Sequence, residues 1–189
     1  SGVINDETKR LRFQVEKVLQ MSMFDRQKAT LKMKEIDANE LITGVVNTFA
    51  LKVERYNGKI TSNLEATDPV IFADEMHITN VIFNLMDNAV KYTPEGGQIR
   101  VSVESWEMYV KIDIADTGIG ISEQHQGAIF KRFYREDIVH DVDGIGIGLY
   151  LAREIVTLQG GYIRVTSEVG KGSTFSVFLL REQSKYAEE

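Results

Sequence analysis

The chain has 189 residues, 43% of them hydrophobic and 26% charged, a balance that fits one soluble globular domain with an additional element. A formal net charge of −6 disfavours a general nucleic-acid or anionic-membrane binder, and the lack of cysteine excludes a disulfide framework and a thiolate metal site. His77, His125 and His140 lack zinc-ligand spacing, and no apolar run approaches the roughly 20 residues of a membrane span.

Ser1-Gly2 reads as an expression scar. Val3 to about Gln27 reads as one long helix. Ile4, Leu11, Val15, Val18 and Ser22 keep close to a heptad seam, while Phe13, Leu19, Met21 and Met23 put apolar groups on other faces. A helix apolar on several faces needs several neighbours, which favours a helix taken from a bundle or coiled-coil dimer over one packed on its own domain. Thr30 to Lys34 alternates as a short edge strand. Asp37 or Asn39 then caps a helix of about Glu40 to Arg55, and Asn57-Gly58 is a turn. Lys59 to Ala66 and Val70 to Ala73 are strand candidates around Asp68-Pro69.

A helix from about Asp74 to Lys91 carries the most telling pattern. Ile78, Val81, Ile82, Leu85 and Ala89 recur at helical spacing as a core face. Asn80, Asn84 and Asn88 stand at i, i+4 and i+8, with Lys91 and Tyr92 one turn on. Asparagine is a mediocre helix former, so three on one face are costly unless something binds them. An amide oxygen is a neutral hard ligand suited to Mg²⁺, and lysine suits phosphate. A plain solvated face is the competing reading. Thr93-Pro94-Glu95-Gly96-Gly97 stops the helix.

A hairpin follows. Ile99, Val101 and Val103 form the inner row of one strand and Val110, Ile112 and Ile114 that of the other, and Trp106 near the turn reads as a surface or hairpin-packing residue rather than a ligand platform. The second strand runs into Asp116-Thr-Gly118-Ile-Gly120-Ile121. Glycines there let the backbone approach a flat ligand, and a buried carboxylate needs a donor such as an adenine amine. An ordinary turn is the alternative. Residues 121–143, with Phe130 and Phe133 anchored among charges, suit a mobile lid or a surface loop. Arg132 and Arg135 within it are either γ-phosphate contacts or solvated charges. Gly144, Gly146 and Gly148 precede Leu149 and a helix to Leu158, offering free N–H groups and a positive dipole end to phosphate. Ile163 and Val165 mark a strand, Gly170-Lys-Gly172 a turn, and Phe175, Val177 and Leu179 a last strand before a charged tail from Glu182.

Together, Asn84-x₃-Asn88-Ala-x-Lys91-Tyr92, Asp116-x-Gly118-x-Gly120, Phe130-x-Arg132-Phe133-x-Arg135, Gly144-x-Gly146-x-Gly148-Leu149 and Gly170-x-Gly172-Ser-Thr174-x-Ser176 stand in one order. This resembles the ATP-binding catalytic domain of bacterial sensor histidine kinases, over about Asp37 to Arg181. The first helix looks like the second helix of that family's dimerisation and phosphoacceptor hairpin. The resemblance divides the chain into 1–29 (partial hairpin), 30–182 (ATP-binding domain) and 183–189 (tail). It implies an α+β fold, a two-layer α/β sandwich with a mixed sheet of about five strands covered by about three helices, after one long N-terminal helix. It implies that Asn88 holds Mg²⁺ with Asn84 in support, that Lys91 meets phosphate and that Tyr92 flanks the nucleotide. Asp116 would accept from adenine, with Gly118, Gly120, Ile121 and Thr174 around it, while Gly144, Gly146, Gly148 and Leu149 would line the phosphates. Asn84, Lys91, Arg132 and Arg135 are the candidates for a part in transfer itself.

Two departures qualify the likeness. Hydrolytic relatives with this nucleotide fold place a Glu one turn before the metal-binding Asn, as base for water, and Asn84 has no such basicity. No acceptor histidine on an upstream helix is present, and none of the three histidines matches that motif. The expectation is an ATP- and Mg²⁺-dependent kinase domain without autophosphorylation, which passes phosphate to a histidine supplied elsewhere and on to a response-regulator aspartate. Its implied partners are a second copy through the hairpin helices and a receiver domain, but no nucleic acid. Its implied place is the cytoplasmic portion of an inner-membrane bacterial sensor. A serine-phosphorylating regulator of the same fold, of the anti-sigma type, and a nucleotide-gated interaction module without catalysis are the alternatives.

Overall fold

Two aspartates decide where the first long elements of the domain begin. In the computed structural model, which describes Thr8, Leu11, Val15, Leu19 and residues 31–131 and 148–181, each closes a strand and caps the helix after it. β1 (Met33–Asp37) ends at Asp37, whose Oδ1 accepts from the backbone N–H of Asn39 and Glu40, and α1 (Ala38–Glu54) starts there. β2 (Lys59–Asn63) is followed by β3 (Val70–Asp74), which ends at Asp74. The Asp74 carboxylate accepts from His77 N–H at 3.1 Å and from Lys32 N–H at 2.8 Å, and α2 (Glu75–Tyr92) begins. β4 (Gln98–Ser105) and β5 (Tyr109–Asp116) make the hairpin. The short α3 (Glu123–Gln126), α4 (Gly148–Leu158), β6 (Tyr162–Glu168) and β7 (Gly172–Leu180) complete the order.

The main sheet has the strand order β2-β4-β5-β7-β6. β2 and β4 are parallel and the other three pairs antiparallel, so the sheet is mixed. β1 and β3 form a separate antiparallel pair. The first strand therefore lies at Met33–Asp37 rather than Thr30 to Lys34. Its position is set by the partner: pairing with β3 buries Ile36 opposite Ile71, a constraint that alternation alone does not contain. β2 likewise stops at Asn63, where its pairing with β4 ends.

One face of the sheet is covered by helices. Ile99 and Val101 of β4, Ile112 and Ile114 of β5 and Phe175 and Val177 of β7 meet Ile42 and Phe49 of α1, Ile82 and Leu85 of α2 and Leu151 and Ile155 of α4 in one cluster. The α+β sandwich expected from the sequence is the one found. The other face carries an aromatic group: Tyr162 stacks on Phe178 at 4.3 Å, and Trp106 meets Phe178 edge-on at 5.2 Å. Trp106 is thus a packing residue of the hairpin. Of the N-terminal helix, Leu11, Val15 and Leu19 are helical and 52%, 56% and 54% exposed. Ile4, Val18 and Ser22 of the proposed seam lie outside the described residues.

Leu85 is fully buried and Leu51 is 68% exposed, and both are on helices. Leu85→Ala is expected to cost about 2–5 kcal/mol. Leu51→Ala is expected to stay within about 0.5 kcal/mol of wild type. Urea denaturation midpoints read at constant m-value distinguish the two.

Candidate functional site

The site is built where β5 runs out. Asp116 is the last residue of that central strand and is 9% exposed. Its Oδ1 accepts from Gly118 N–H at 2.9 Å and from Ser173 N–H at 3.3 Å. Burial pushes its pKa above the ordinary aspartate value of 3.8, and the Gly118 and Ser173 amides offset part of that rise. The turn after it is glycine-dependent. A side chain at Gly118 would overlap the Tyr92 carbonyl oxygen, and at Gly120, with φ +75°, a side chain would overlap the Glu168 carbonyl. Ile119 N–H donates to Tyr92 O at 3.1 Å, and Gly170 N–H donates to Ile119 O at 2.8 Å. The Asp116 turn is therefore pinned between the C-terminal end of α2 and the β6–β7 turn.

α2 forms the second wall. Asn84 is 3% exposed, and neither its Oδ1 nor its Nδ2 has a hydrogen-bond partner among the described residues. The plain solvated face considered from the sequence does not hold at this position. Asn84 lies inside, next to the start of α4: a Cβ placed on Gly148 would stand 3.9 Å from Asn84 Cβ. Asn80 and Asn88, one turn to either side, are half-buried, as are Lys91 and Tyr92. A buried amide left without partners costs about 1–3 kcal/mol, so this wall is shaped for something other than its own fold.

Gly148 and Leu149 open α4 beside Asn84, as the glycine pattern required, whereas Gly144, Gly146, Arg132, Arg135 and Phe133 lie outside the described residues. The stretch read as a lid is partly fixed structure. Gln126 Nε2 donates to Ile121 O at 2.9 Å and Ser167 O at 3.1 Å. Ile129 and Phe130 are buried, with Phe130 edge-on to Phe175 at 6.3 Å. Residues 121–131 thus belong to the domain body because their apolar groups reach its core.

One predicted neighbour is displaced by a residue. In the β5–β7 register Asp116 pairs with Ser173 and Ala115 with Thr174, so Ser173 shares the Asp116 face and Thr174 the opposite one. Ser173 was missed from sequence, although its alternation with the inward Phe175, Val177 and Leu179 placed it inside. Ser167, whose hydroxyl accepts from Ile121 N–H at 2.7 Å, carried no sequence signal of its own. Among the described residues no three His, Cys, Asp or Glu side chains gather as a metal site.

Residues 73–183 match the family described as histidine kinase-, DNA gyrase B-, and HSP90-like ATPase. The chain belongs to this family. The matched stretch contains the Asn84 helix, the Asp116 turn and β7, and the domain is an ATP-binding one. Sensor protein RprX of Bacteroides fragilis (strain YCH46) is 65% identical over 183 residues, covering 95% of this chain and 35% of that protein. The catalytic domain of histidine kinase ThkA is 27% identical with a TM-score of 0.72, over 80% of this chain and 99% of that one. ThkA in complex with the response regulator protein TrrA is 26% identical with a TM-score of 0.78, over 97% of this chain and 51% of that one. The chain spans 35%, 40% and 24% of the first three curated relatives, so it corresponds to a part of proteins of that kind.

Because the Asp116 pKa is higher folded than unfolded, the stabilisation it gives belongs to the protonated acid. It is fully present below the unfolded value and is lost as pH rises through the folded one. Asp116→Asn keeps the uncharged form at every pH and can still accept both amides. Its thermal midpoint should exceed that of wild type at pH 7, and the gap should narrow as pH falls toward 3.8. A gap independent of pH would contradict the desolvated carboxylate.

Proposed function

We propose that this chain is the ATP-binding kinase portion of a two-component sensor histidine kinase, and that it transfers the ATP γ-phosphoryl group to a histidine of the parent protein. The observation that carries the reading is Asn84. A buried carboxamide with no hydrogen-bond partner among the described residues lies against the first turn of α4, on the helix that also holds Asn88 and Lys91. An amide can orient phosphate and support a metal ion but cannot take a proton from water. Transfer to an imidazole needs mainly positioning and charge neutralisation, which such a wall provides. The names of the relatives, sensor protein RprX and histidine kinase ThkA, agree with this direction of chemistry.

In this reading Asp116 accepts from the adenine amine, with Gly118, Gly120 and Ile121 closing around it and Ser173 in the place first assigned to Thr174. Asn88 holds Mg²⁺ through its amide oxygen, with Asn84 behind it. The ion supplies charge neutralisation on the phosphates. Lys91 reaches phosphate, Tyr92 flanks the nucleotide, and Gly144, Gly146, Gly148 and Leu149 offer the phosphates backbone amides. Arg132 and Arg135 approach the γ-phosphate. Residues 1–29 are the second helix of a dimerisation hairpin; the exposed stripe Leu11, Val15, Leu19 fits a helix that packs on a partner copy. The receiver domain of a response regulator takes the phosphate onward, as the ThkA–TrrA pairing suggests for this chain. The parent is a membrane-anchored sensor with this part on its cytoplasmic side; no helix among the described residues is long and apolar enough to cross a membrane.

Isothermal titration with Mg-ATP is expected to show binding that Asp116→Ala abolishes. Given a hairpin bearing the acceptor histidine, the chain should form an acid-labile phosphoryl adduct. Asn88→Ala should slow that transfer about a hundredfold, the scale seen when one charge-stabilising group is removed. Tight nucleotide binding with an unmodified histidine, or an acid-stable product, overturns the kinase reading while leaving the ATP site intact.

A further inference from the structure

Ser167 on β6 and Ser173 on β7 face one another across the strand pair, with hydroxyl oxygens 2.8 Å apart. They stand between the two chain segments that hold the buried acid. Ser173 N–H donates to Asp116 Oδ1 at 3.3 Å. Ser167 Oγ accepts from Ile121 N–H at 2.7 Å and donates to the Gly172 carbonyl at 3.0 Å.

A serine hydroxyl has one proton and two lone pairs, so the direction of every bond in this group can be worked out. Ser167 commits its proton to Gly172 O and one lone pair to Ile121 N–H. Its second lone pair is left for Ser173, whose hydroxyl proton therefore points at Ser167. In the reverse arrangement Ser167 donates to Ser173. The Gly172 contact then has no proton, and the Ser173 proton finds no acceptor among the described residues, in a side chain only 7% exposed. The first arrangement makes three hydrogen bonds and the second two. In a buried network that difference decides the direction.

The consequence falls on the side of the sheet that Ser173 shares with Asp116. With its proton held by Ser167, Ser173 Oγ presents only lone pairs. Asp116 Oδ2 takes no donor among the described residues, because both amides go to Oδ1. The side-chain edge at this point is made of acceptors alone.

We propose that Ser167 is a positioning residue for nucleobase choice: by holding the Ser173 proton it keeps the recognition edge acceptor-only, so that a 6-amino purine is taken and a 6-oxo purine refused. The proposal rests on the reading of the cleft as a nucleotide site. With the C6 substituent of the purine against this edge, as the proposed adenine contact requires, an amine there supplies the N–H groups that the edge lacks, whereas a carbonyl there sets lone pairs against lone pairs. A site that leaves polar groups so mismatched discriminates strongly.

The test is titration of the intact chain with Mg-ATP and with Mg-GTP. Ser167→Ala frees the Ser173 proton to donate, and the preference for ATP over GTP should fall by about tenfold, the effect of one repaired buried mismatch. Ser167→Thr keeps the hydroxyl and should keep the preference. Ser167→Ala with Ser173→Ala removes the freed donor and should restore it. Equal weakening of both nucleotides in Ser167→Ala, or a Thr variant as unselective as the Ala one, means that Ser167 is merely structural and overturns the proposal. Neutron diffraction from deuterated wild-type protein reads the same point without any variant: a deuteron on Ser173 Oγ directed at Ser167 supports the proposal, and one directed into the cleft overturns it. Wild type that binds ATP and GTP alike defeats this proposal alone. Wild type that binds neither defeats the nucleotide reading beneath it.

Discussion

A carboxylate kept out of water at the end of a central strand is the constraint around which this domain is arranged. Burying a charge is expensive unless donors meet it, and Asp116 has two backbone amides from different parts of the chain. One belongs to its own turn. The other, Ser173 N–H, is available only because β5 and β7 pair in the register that sets Asp116 opposite Ser173. That register is in turn enforced further along the strands, where Ile114 lies opposite Phe175 and Ile112 opposite Val177, all four buried. A slip of one residue would turn every one of those side chains to the other face. The apolar core therefore decides the surroundings of the acid, and the acid keeps a raised pKa because those two donors do not fully offset its burial.

Asn84 shows the same logic from the other wall. An apolar residue there would suit the packing of α2 against α4 better than an amide whose polar atoms both go unanswered among the described residues. Natural sequences break a local rule of this kind where a ligand will complete it. The two anomalies, a desolvated acid and an orphan amide, stand on the two elements that the Gly118 turn joins. Neither makes sense as a stabilising feature of the fold.

Much of this was legible in the sequence, and the failures have identifiable causes. α2 could be read because five core residues and three asparagines keep helical period over 18 residues, with Asp74 before and Pro94 after. The hairpin could be read because both its strands alternate without a break. The position of β1 differs from the one alternation suggests because it depends on β3, and a pairing partner so distant in sequence leaves no local trace. The motif resemblance points to Thr174, whereas alternation with the inward Phe175, Val177 and Leu179 puts Ser173 on the inner face. Residues 121–131 looked like a loop because their anchors, Ile129 and Phe130, are too few to show a period, yet each reaches the core.

Helix ends explain how the two walls come to act as one frame. The last carbonyls of a helix have no partner within it and must be answered from outside. At the end of α2, Thr93 Oγ1 donates back to Ala89 O at 2.6 Å, and the Tyr92 carbonyl is met by Ile119 N–H from the Asp116 turn. That second bond requires a close approach, and Gly118 permits it because any side chain at that position would strike the same carbonyl. The orphan-group problem of one element is thus solved by the turn of the other. A shift of α2 along its axis would break the bond that holds the Asp116 turn, so the distance between the amide face and the acid is set by backbone rather than by side-chain rotamers. The phosphoryl transfer proposed for this cleft works by positioning and demands such stiffness, since a displacement of about 1 Å in the reacting geometry can cost about a hundredfold in rate.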